Sequence, residues 1–348
     1  MDRDRVAAFL DRFVGYASGA TTMALLAVAD RSGLLAWLAA NGAGTVEEIA
    51  EGAGLEDRYV REILSGLAAA GAVEWDPDGG TFTLPPEHAL FLADEDSPYC
   101  MGGWIDMVPT LMEQIEGVAR ATREGGGVPF SELGADIVRG IDRGNSPSQK
   151  TFLVGRWLPA VPGLVDRLRD GVRVADIGCG TGTAAALMAT AFPNSQVTGF
   201  DVSAPSLQLA RERAPVPNLE FVEASAESIP LEPSFDLITT FDVIHDLADP
   251  MAGLARIREA LSQNGQYLMM EPNVGSHLED NLHDRGALLY GVSTLLCMTQ
   301  SLAIGGEGLG AAWGREMAED YARRAGFGSF TPLEDITNKF SAFYLLTP

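Results

Sequence analysis

The sequence has few basic residues and few cysteines. Among its 348 residues, 24 lysines and arginines stand against 48 aspartates and glutamates, which gives a formal net charge of −24. Proteins bind a nucleic-acid backbone by neutralising it with basic side chains, so the surplus of acids argues against such a partner. Cys100, Cys179 and Cys297 lie far apart without C-x-x-C spacing. This spacing argues against a disulfide framework or a zinc site, so we expect no metal ion and a reducing compartment.

The sequence also lacks a clear targeting segment. Its first residues, M-D-R-D-R, have neither the apolar run nor the small-residue cleavage site of a secretory signal. One uncharged run, residues 286–306, is long enough to span a membrane. Its glycine, serine and threonine content favours instead a buried segment beside a pocket. We therefore expect a cytoplasmic protein that has no membrane partner.

Residues 45–84 have the pattern of a winged helix. Thr45 and Glu48 predict a capping box at the start of one helix, and a helical apolar period predicts a second helix over 57–70. Residues 73–75 and 81–84 flank a turn sequence and predict a hairpin. Because the second helix and the hairpin tip are acidic, we expect a module for homodimer formation and a substrate lid rather than a DNA reader.

Strand and helix patterns alternate from residue 172 onward, which predicts a parallel sheet with helices on both faces. The fold class expected is α/β, a doubly wound, seven-stranded, Rossmann-like sheet in a domain of residues 148–348. A mostly helical winged-helix domain of residues 1–147 precedes it. The predicted strands are 172–177, 196–202, 219–224, 235–241, 266–270, 329–333 and 340–346, and long helices are predicted over 99–123 and 148–169.

The most informative segment is V-R-V-A-D-I-G-C-G-T-G, residues 172–182. An apolar strand carrying Asp176 breaks into a loop with Gly178, Gly180 and Gly182, and a helix follows. Glycine lets backbone amides approach a ligand that a Cβ atom would displace. The dinucleotide pattern G-x-G-x-x-G would need a glycine where Thr183 stands, which argues against a nicotinamide oxidoreductase.

This segment resembles the first motif of the class I S-adenosylmethionine (SAM) dependent methyltransferases, D-x-G-x-G-x-G. The resemblance implies that SAM is the cofactor. It further implies that the loop, including Cys179, passes under the methionine end of SAM and that Asp176 supports its amino group. Residues 278–303 and 309–314 resemble a bacterial subfamily that joins an N-terminal winged helix to this domain, and the resemblance covers nearly the whole chain.

Asp201 ends the second predicted strand, 23 residues after Gly178. A carboxylate at this spacing can accept both hydrogen bonds of a ribose diol, although aspartate is also a good helix N-cap. With the glycine loop upstream, we expect Asp201 to bind the ribose and Val202 to lie against the adenine.

For the contact to the adenine amine the sequence departs from the family pattern, because Ser225 stands where the family has an acid after the third strand. Either Ser225 or the backbone beside Ala226 takes this role, or Glu223 or Glu227 reaches in. Phe241, at the end of the fourth strand, is also expected at the cofactor.

His245 follows the fourth strand in F-D-V-I-H-D, where strand ends open into the ligand crevice. The stretch resembles the I-L-H-D-W segment of small-molecule O-methyltransferases, which implies that His245 is the general base for an acceptor hydroxyl. A purely structural histidine is the alternative. Glu271, ending the fifth strand, is a candidate partner for His245 or for the substrate, or a solvent-facing carboxylate.

The uncharged run lies where class I enzymes often build the acceptor pocket. Tyr290, Met298 and Trp313 either line that pocket or pack in the core. Together these features predict a homodimeric methyltransferase that acts on a small molecule, with oxygen as the expected target. The alternatives are nitrogen or sulfur methylation without a histidine base, and a SAM-responsive transcription regulator.

Overall fold

The structure is a computed structural model that describes residues 1–232 and 234–348, and of Ala135 the backbone alone. Packing divides the chain into two compact units, residues 1–110 with 135–148 and residues 111–134 with 149–348. The domain boundary between residues 147 and 148 stays a prediction, and residues 111–134 pack with the second unit.

The first unit is helical and carries one short hairpin. Its elements are α1 (Arg3–Arg31), α2 (Leu34–Asn41), α3 (Val46–Ala53), α4 (Asp57–Ala69), β1 (Glu74–Asp76), β2 (Thr81–Thr83), α5 (Pro86–Leu92) and the start of α6 (Gly102–Met112). The predicted order of helix, turn, helix and hairpin is confirmed, with β1 and β2 antiparallel. Thr45 and Glu48 form the predicted capping box at the start of α3.

Two helices predicted as continuous are broken in the structure. The first is split into α6 and α7 (Ile115–Glu124). The second prediction, over 148–169, was wrong in its middle. The elements there are the end of α8 (Gly134–Phe152), a π-helical turn (Leu153–Trp157), a 3-10 turn (Leu158–Ala160) and α9 (Leu164–Asp170). Pro159 has no amide to donate, and Gly163 takes the left-handed φ of 70° that begins α9.

The second unit contains the predicted seven-stranded sheet. Its strands are β3 (Arg173–Ile177), β4 (Gln196–Asp201), β5 (Leu219–Glu223), β6 (Phe235–Phe241), β7 (Leu261–Pro272), β8 (Ser329–Pro332) and β9 (Ser341–Thr347). The strand order is β5-β4-β3-β6-β7-β9-β8, in which β9 runs antiparallel to both neighbours. The doubly wound prediction is confirmed. The order in which successive strands are added to the sheet reverses between β3 and β6.

Helices cover both faces of this sheet. They are α10 (Thr183–Ala191), α11 (Ala204–Arg213), α12 (Pro250–Ala260) and, after a segment that forms α13 (Asp284–Val292) and α14 (Met298–Ala303), α15 (Gly314–Arg324). Alternate strand residues enter two separate cores, as in β7, where Tyr267 and Met269 join one and Leu268 and Met270 the other. Burial of both faces explains the nearly continuous apolar runs of β3, β6 and β7.

Two helical segments are long and apolar enough to cross a membrane by length and composition alone. They are α1, whose most apolar stretch is 17% buried, and Asp284–Ala303, of which 39% is buried. The second segment overlaps the uncharged run, and a π-helical turn (Ser293–Cys297) joins α13 to α14 within it. Its Ser293, Thr299 and Ser301 are buried and hydrogen-bonded inside the unit.

Candidate active site

The site lies at the carboxyl ends of β3, β4, β6 and β7, which share one edge of the sheet. These ends surround the point where the strand order reverses, the place where open α/β sheets bind ligands. All the residues described below belong to the second unit.

The glycine loop is tied to the end of β4 by Asp201. One carboxylate oxygen of Asp201 accepts from the Gly180 amide at 2.8 Å, and the other accepts from the Ser203 amide at 2.8 Å. Burial raises the pKa of Asp201. Each carboxylate oxygen has a further lone pair, so the side chain can hold the loop and still accept from a ligand.

Glycine is favoured at the three loop positions for different physical reasons. All three have positive φ, 68° at Gly178, 53° at Gly180 and 80° at Gly182. A Cβ atom at Gly178 would meet Val243 at 2.5 Å, and one at Gly182 would meet Phe221 at 2.6 Å. At Gly180 a Cβ atom would enter open space, so the positive φ alone favours glycine there, and the contact with a ligand stays a prediction.

Asp176 has a buried carboxylate oxygen at the carboxyl end of β3. The residue is 1% exposed, and Thr239 donates to Oδ1 at 2.7 Å. Oδ2 is buried and has no hydrogen-bond partner among the described residues. Burial raises the pKa of Asp176 to about 7, and the nearby charge of Asp201 acts in the same direction. The hydrogen bond from Thr239 partly opposes this shift. Such an oxygen is costly unless a ligand donates to it.

The other predicted cofactor residues differ in their exposure to solvent and in the groups they contact. Val202 is 68% exposed directly after β4, whereas Phe241 is only 7% exposed and packs against Trp157 with ring centroids 5.8 Å apart. Ser225 exchanges hydrogen bonds with Ser228 across a 3-10 turn. The side chain of Ala226 packs in the core. Burial raises the pKa of the Cys179 thiol, which disfavours the thiolate.

His245 and Glu271 lie in direct contact. His245 Nδ1 is 2.6 Å from Glu271 Oε2, and the two residues are 3% and 1% exposed. Glu271 Oε1 accepts from the Ile244 amide at 2.9 Å, and Oε2 accepts from Trp313 Nε1 at 3.0 Å. Glu271 therefore cannot be the solvent-facing carboxylate or an open substrate contact, because protein donors surround it.

The Nε2 edge of the imidazole is also enclosed by protein groups. His245 Nε2 lies 3.4 Å from Asp246 Oδ1, and the Cys297 Sγ atom lies within 4.8 Å of a ring nitrogen. Burial opposes ionisation of His245, but the carboxylates of Asp246 and Glu271 outweigh it and raise its pKa well above the usual value. The histidine is thus strongly basic and held on both sides.

Sequence reasoning did not single out Asp242, Asp246 or Cys297. Asp242 follows β6 with a φ of 57°, and among the described residues no other non-glycine residue has a positive φ. Burial and the charges of Glu271 and Asp246, against that of His245, raise the pKa of Asp242 to about 7. A backbone strained in this way is typical of functional sites, but an aspartate in a sequence does not reveal its φ.

The three residues expected to line an acceptor pocket have different environments in the structure. Trp313 is buried in the core and bonds to Glu271, which favours the core alternative with an added role in the site. Tyr290 is half-buried in α13 and its hydroxyl accepts from Asn281 at 3.3 Å. Met298 is half-buried at the start of α14. Pocket roles for Tyr290 and Met298 stay predictions.

Comparison with known families identifies both parts of the chain. The family model of the methyltransferase domain matches residues 168–320, and that of the Rv2258c-like winged HTH domain matches residues 20–94. Residues 168–320 form a SAM-dependent methyltransferase domain. A winged helix-turn-helix domain precedes it, as the sequence resemblance predicts.

Known proteins similar to this chain include methyltransferases of several kinds. A trans-aconitate 2-methyltransferase of Rhodopseudomonas palustris is 33% identical over 125 residues, which are 36% of this chain and 46% of that protein. The chain matches less than half the length of such curated relatives. The mitomycin 7-O-methyltransferase MmcR superposes with a TM-score of 0.74 at 19% identity over 100% of both chains. Human N-acetylserotonin methyltransferase superposes with a TM-score of 0.71 at 20% identity over 97% of both chains.

SAM fits the residues of the methyltransferase domain. The unpartnered Oδ2 of Asp176 suits the cationic amino group, and the open space at Gly180 suits the methionine chain. Asp201 keeps acceptor capacity for the ribose, and the exposed Val202 offers an apolar surface for the adenine. The assignment of these contacts remains a prediction.

Proposed function

We propose that this protein transfers the methyl group of SAM to a hydroxyl oxygen of a small-molecule acceptor, with His245 as the general base. When bound, SAM supplies an electrophilic methyl group on a sulfonium. Such a displacement needs an aligned, deprotonated acceptor and little else, and the contact between His245 and Glu271 carries the proposal.

Glu271 acts as a positioning residue in this proposal. In the neutral imidazole, the form that can act as a base, Nδ1 donates to the Glu271 carboxylate and the single basic lone pair lies on Nε2. The bonds from Ile244 and Trp313 fix the carboxylate in turn. Nε2 can then accept the hydroxyl proton of an acceptor that enters beside Asp246 and Cys297.

Methylation of nitrogen or sulfur without a histidine base is the second candidate. The observation that favours it is the enclosure of His245, which is 3% exposed and contacts protein groups at both ring nitrogens. An amine or thiol acceptor would leave the histidine a structural role.

We further propose a homodimer formed through the N-terminal domain. On α1 the apolar residues Val6, Phe9, Leu10 and Phe13 recur at helical spacing and are each more than half exposed. An apolar stripe of this kind marks an interaction surface, and a second copy of the chain is the occupant that closes it symmetrically.

The winged helix is proposed as an interaction and lid module without a nucleic-acid partner. Both arginines of α4 are already paired with acids, Arg58 with Glu62 and Arg61 with Glu47 at 2.7 Å. The net charge of −24 adds repulsion from phosphate.

We also propose a cytoplasmic location without a membrane partner. The buried polar residues of α14 support this location.

A His245→Ala variant tests the base. Turnover is measured as transfer of labelled methyl from SAM to matched alcohol, phenol, amine and thiol acceptors. For a hydroxyl acceptor we expect a loss of about 10² or more, with SAM affinity unchanged by calorimetry. Unchanged turnover in the variant would establish the second candidate. If the wild-type protein methylates none of the acceptors and does not bind SAM, methyl transfer itself is overturned.

A further inference from the structure

Three side chains of different chemistry converge beside His245. A nitrogen of His245, a carboxylate oxygen of Asp246 and the Sγ atom of Cys297 all lie within 4.8 Å of one another. The Nε2 atom of His245 is 3.4 Å from Oδ1 of Asp246. That oxygen is buried and has no hydrogen-bond partner within the described part of the chain. His245 and Cys297 are 3% and 5% exposed, whereas the Asp246 side chain is 32% exposed, so the cluster is buried on two sides and open at Asp246.

The fold brings these donors together from two separate segments. His245 and Asp246 lie on the 3-10 turn Ile244–Asp246 that follows β6. Cys297 is the last residue of the π-helical turn Ser293–Cys297. A π turn adds one residue to the helical repeat and so changes the direction of the residues at its end. Such turns are rare and frequent at functional sites.

We propose that His245 Nε2, Asp246 and Cys297 bind one divalent transition-metal ion of the zinc class. Nitrogen, carboxylate oxygen and thiolate are the donors that zinc takes, and three protein ligands leave a fourth position open. Ligands about 2.0–2.3 Å from a tetrahedral ion are about 3.3–3.7 Å apart, so a contraction of about one ångström closes the site.

The surroundings of the three donors match those of metal sites. A metal-bound histidine almost always donates its second ring N–H to a carboxylate or carbonyl, and Glu271 receives that bond at 2.6 Å. The proposal departs from the expectation of no metal ion, which rested on cysteine spacing alone.

The consequence of metal binding depends on the proposed function. A metal ion would occupy the Nε2 lone pair that the methyl-transfer proposal assigns to the acceptor proton. The two uses of that atom exclude each other, so His245 cannot deprotonate the acceptor in the metal-bound form. We therefore expect zinc to inhibit methyl transfer reversibly without displacing SAM.

Cobalt spectroscopy on the full chain tests the site without any need for turnover. We expect wild-type protein to bind one Co²⁺ per chain and to show a thiolate-to-cobalt charge-transfer band. Cys297→Ser should lose the band, whereas Cys100→Ser, which removes a buried thiol of the other unit, should retain it. Asp246→Asn should weaken Co²⁺ and Zn²⁺ binding by about tenfold or more. Absence of stoichiometric binding to wild type, or a band that survives Cys297→Ser, would overturn the site.

The inhibitory role has its own measurement. The ratio of turnover with a chelator to turnover with added Zn²⁺ should be at least tenfold in wild type and in Cys100→Ser, and should fall toward one in Cys297→Ser. Turnover that rises with Zn²⁺ would refute inhibition. If no acceptor is methylated, methyl transfer fails as the function, while the cobalt spectrum still decides the metal site.

Discussion

The Nδ1 atom of His245 lies 2.6 Å from Oε2 of Glu271, although 26 residues separate them in the chain. The contact follows from the sheet, because β6 and β7 are parallel neighbours and Phe241 pairs with Met270 at their carboxyl ends. The residues just beyond that pair are therefore brought to the same edge. A buried imidazole and carboxylate in this arrangement fix each other's orientation.

Replacing Glu271 with glutamine should lower turnover while leaving SAM affinity unchanged. The amide keeps the size of the side chain but loses the charge that orients and supports the imidazole. We expect turnover to fall about 10²-fold or more, the usual size of an acid–base contribution, and the SAM dissociation constant to stay within about threefold.

Glu279→Gln is the matched control, since Glu279 is exposed on a short turn outside the site. Wild-type turnover in Glu271→Gln would show that the carboxylate does not position His245 for catalysis.

Asp201→Ala should abolish measurable SAM binding in calorimetry. The change removes the ribose acceptor and also frees the Gly180 amide, so the loop loses the bond that holds it to β4. Asp201→Asn keeps one acceptor oxygen and should bind with intermediate affinity. Asp166→Asn, an exposed aspartate of α9, serves as control. SAM affinity within threefold of wild type in Asp201→Ala would contradict the ribose assignment.

The fold was largely predictable because it depends on local patterns. Apolar runs buried on both faces and turn residues between them indicated the seven strands, and these were confirmed to within a few residues except β7, which begins five residues earlier. The helix predicted over 148–169 failed because apolar periodicity continues through Pro159 and Gly163, where the backbone cannot remain helical.

The candidate site was predictable only where strand order determines it. The glycine loop, Asp201, His245 and Glu271 all follow strand ends, so a parallel sheet places them together. Cys297 reaches His245 through an insertion whose path depends on tertiary packing, and nothing in its sequence neighbourhood marks that contact. The left-handed backbone of Asp242 is likewise imposed by its surroundings.

Asp176→Asn should stabilise the ligand-free protein at high pH. The pKa of Asp176 is about 7 in the folded protein, against about 3.9 in an unfolded chain, so the folded state binds the extra proton between these values. Stability from this group is therefore present below about pH 4 and is lost as the pH rises toward 7. Asparagine cannot ionise, so the variant should gain at most about 4 kcal/mol over wild type at pH 8.

Urea unfolding of both proteins at pH 5 and pH 8 measures this difference. The advantage of the variant should grow between the two pH values, and SAM should bind it more weakly. Asp166→Asn, whose side chain is 84% exposed, should show no such trend. An equal difference at both pH values would mean that Asp176 is not neutral in the folded protein at low pH.

Substitutions at Asp242 should report the strain of its backbone. Glycine adopts a φ of 57° freely, whereas alanine pays a steric cost, so Asp242→Gly should be more stable than Asp242→Ala by about 1 kcal/mol. Asparagine tolerates this conformation and should lie between them. Chemical unfolding of the three variants gives the order. Equal stability of the glycine and alanine variants would show that the local backbone relaxes.

Phe13→Glu on α1 should convert a dimer into a monomer. Phe13 is 57% exposed among other apolar residues of the same stripe, and a charge there would be buried without a partner in a symmetric helix contact. Light scattering after gel filtration should give twice the mass of 36.9 kDa for wild type and the single mass for the variant. Tyr59→Glu, at a residue of α4 that is 72% exposed, is the control and should remain dimeric.

A wild-type monomer at micromolar concentration would refute the dimer. Because α1 is also long and apolar enough to cross a membrane, flotation with lipid vesicles would then decide whether a bilayer covers the stripe instead. The dimer predicts no flotation, since the partner copy buries the same residues that a membrane would take.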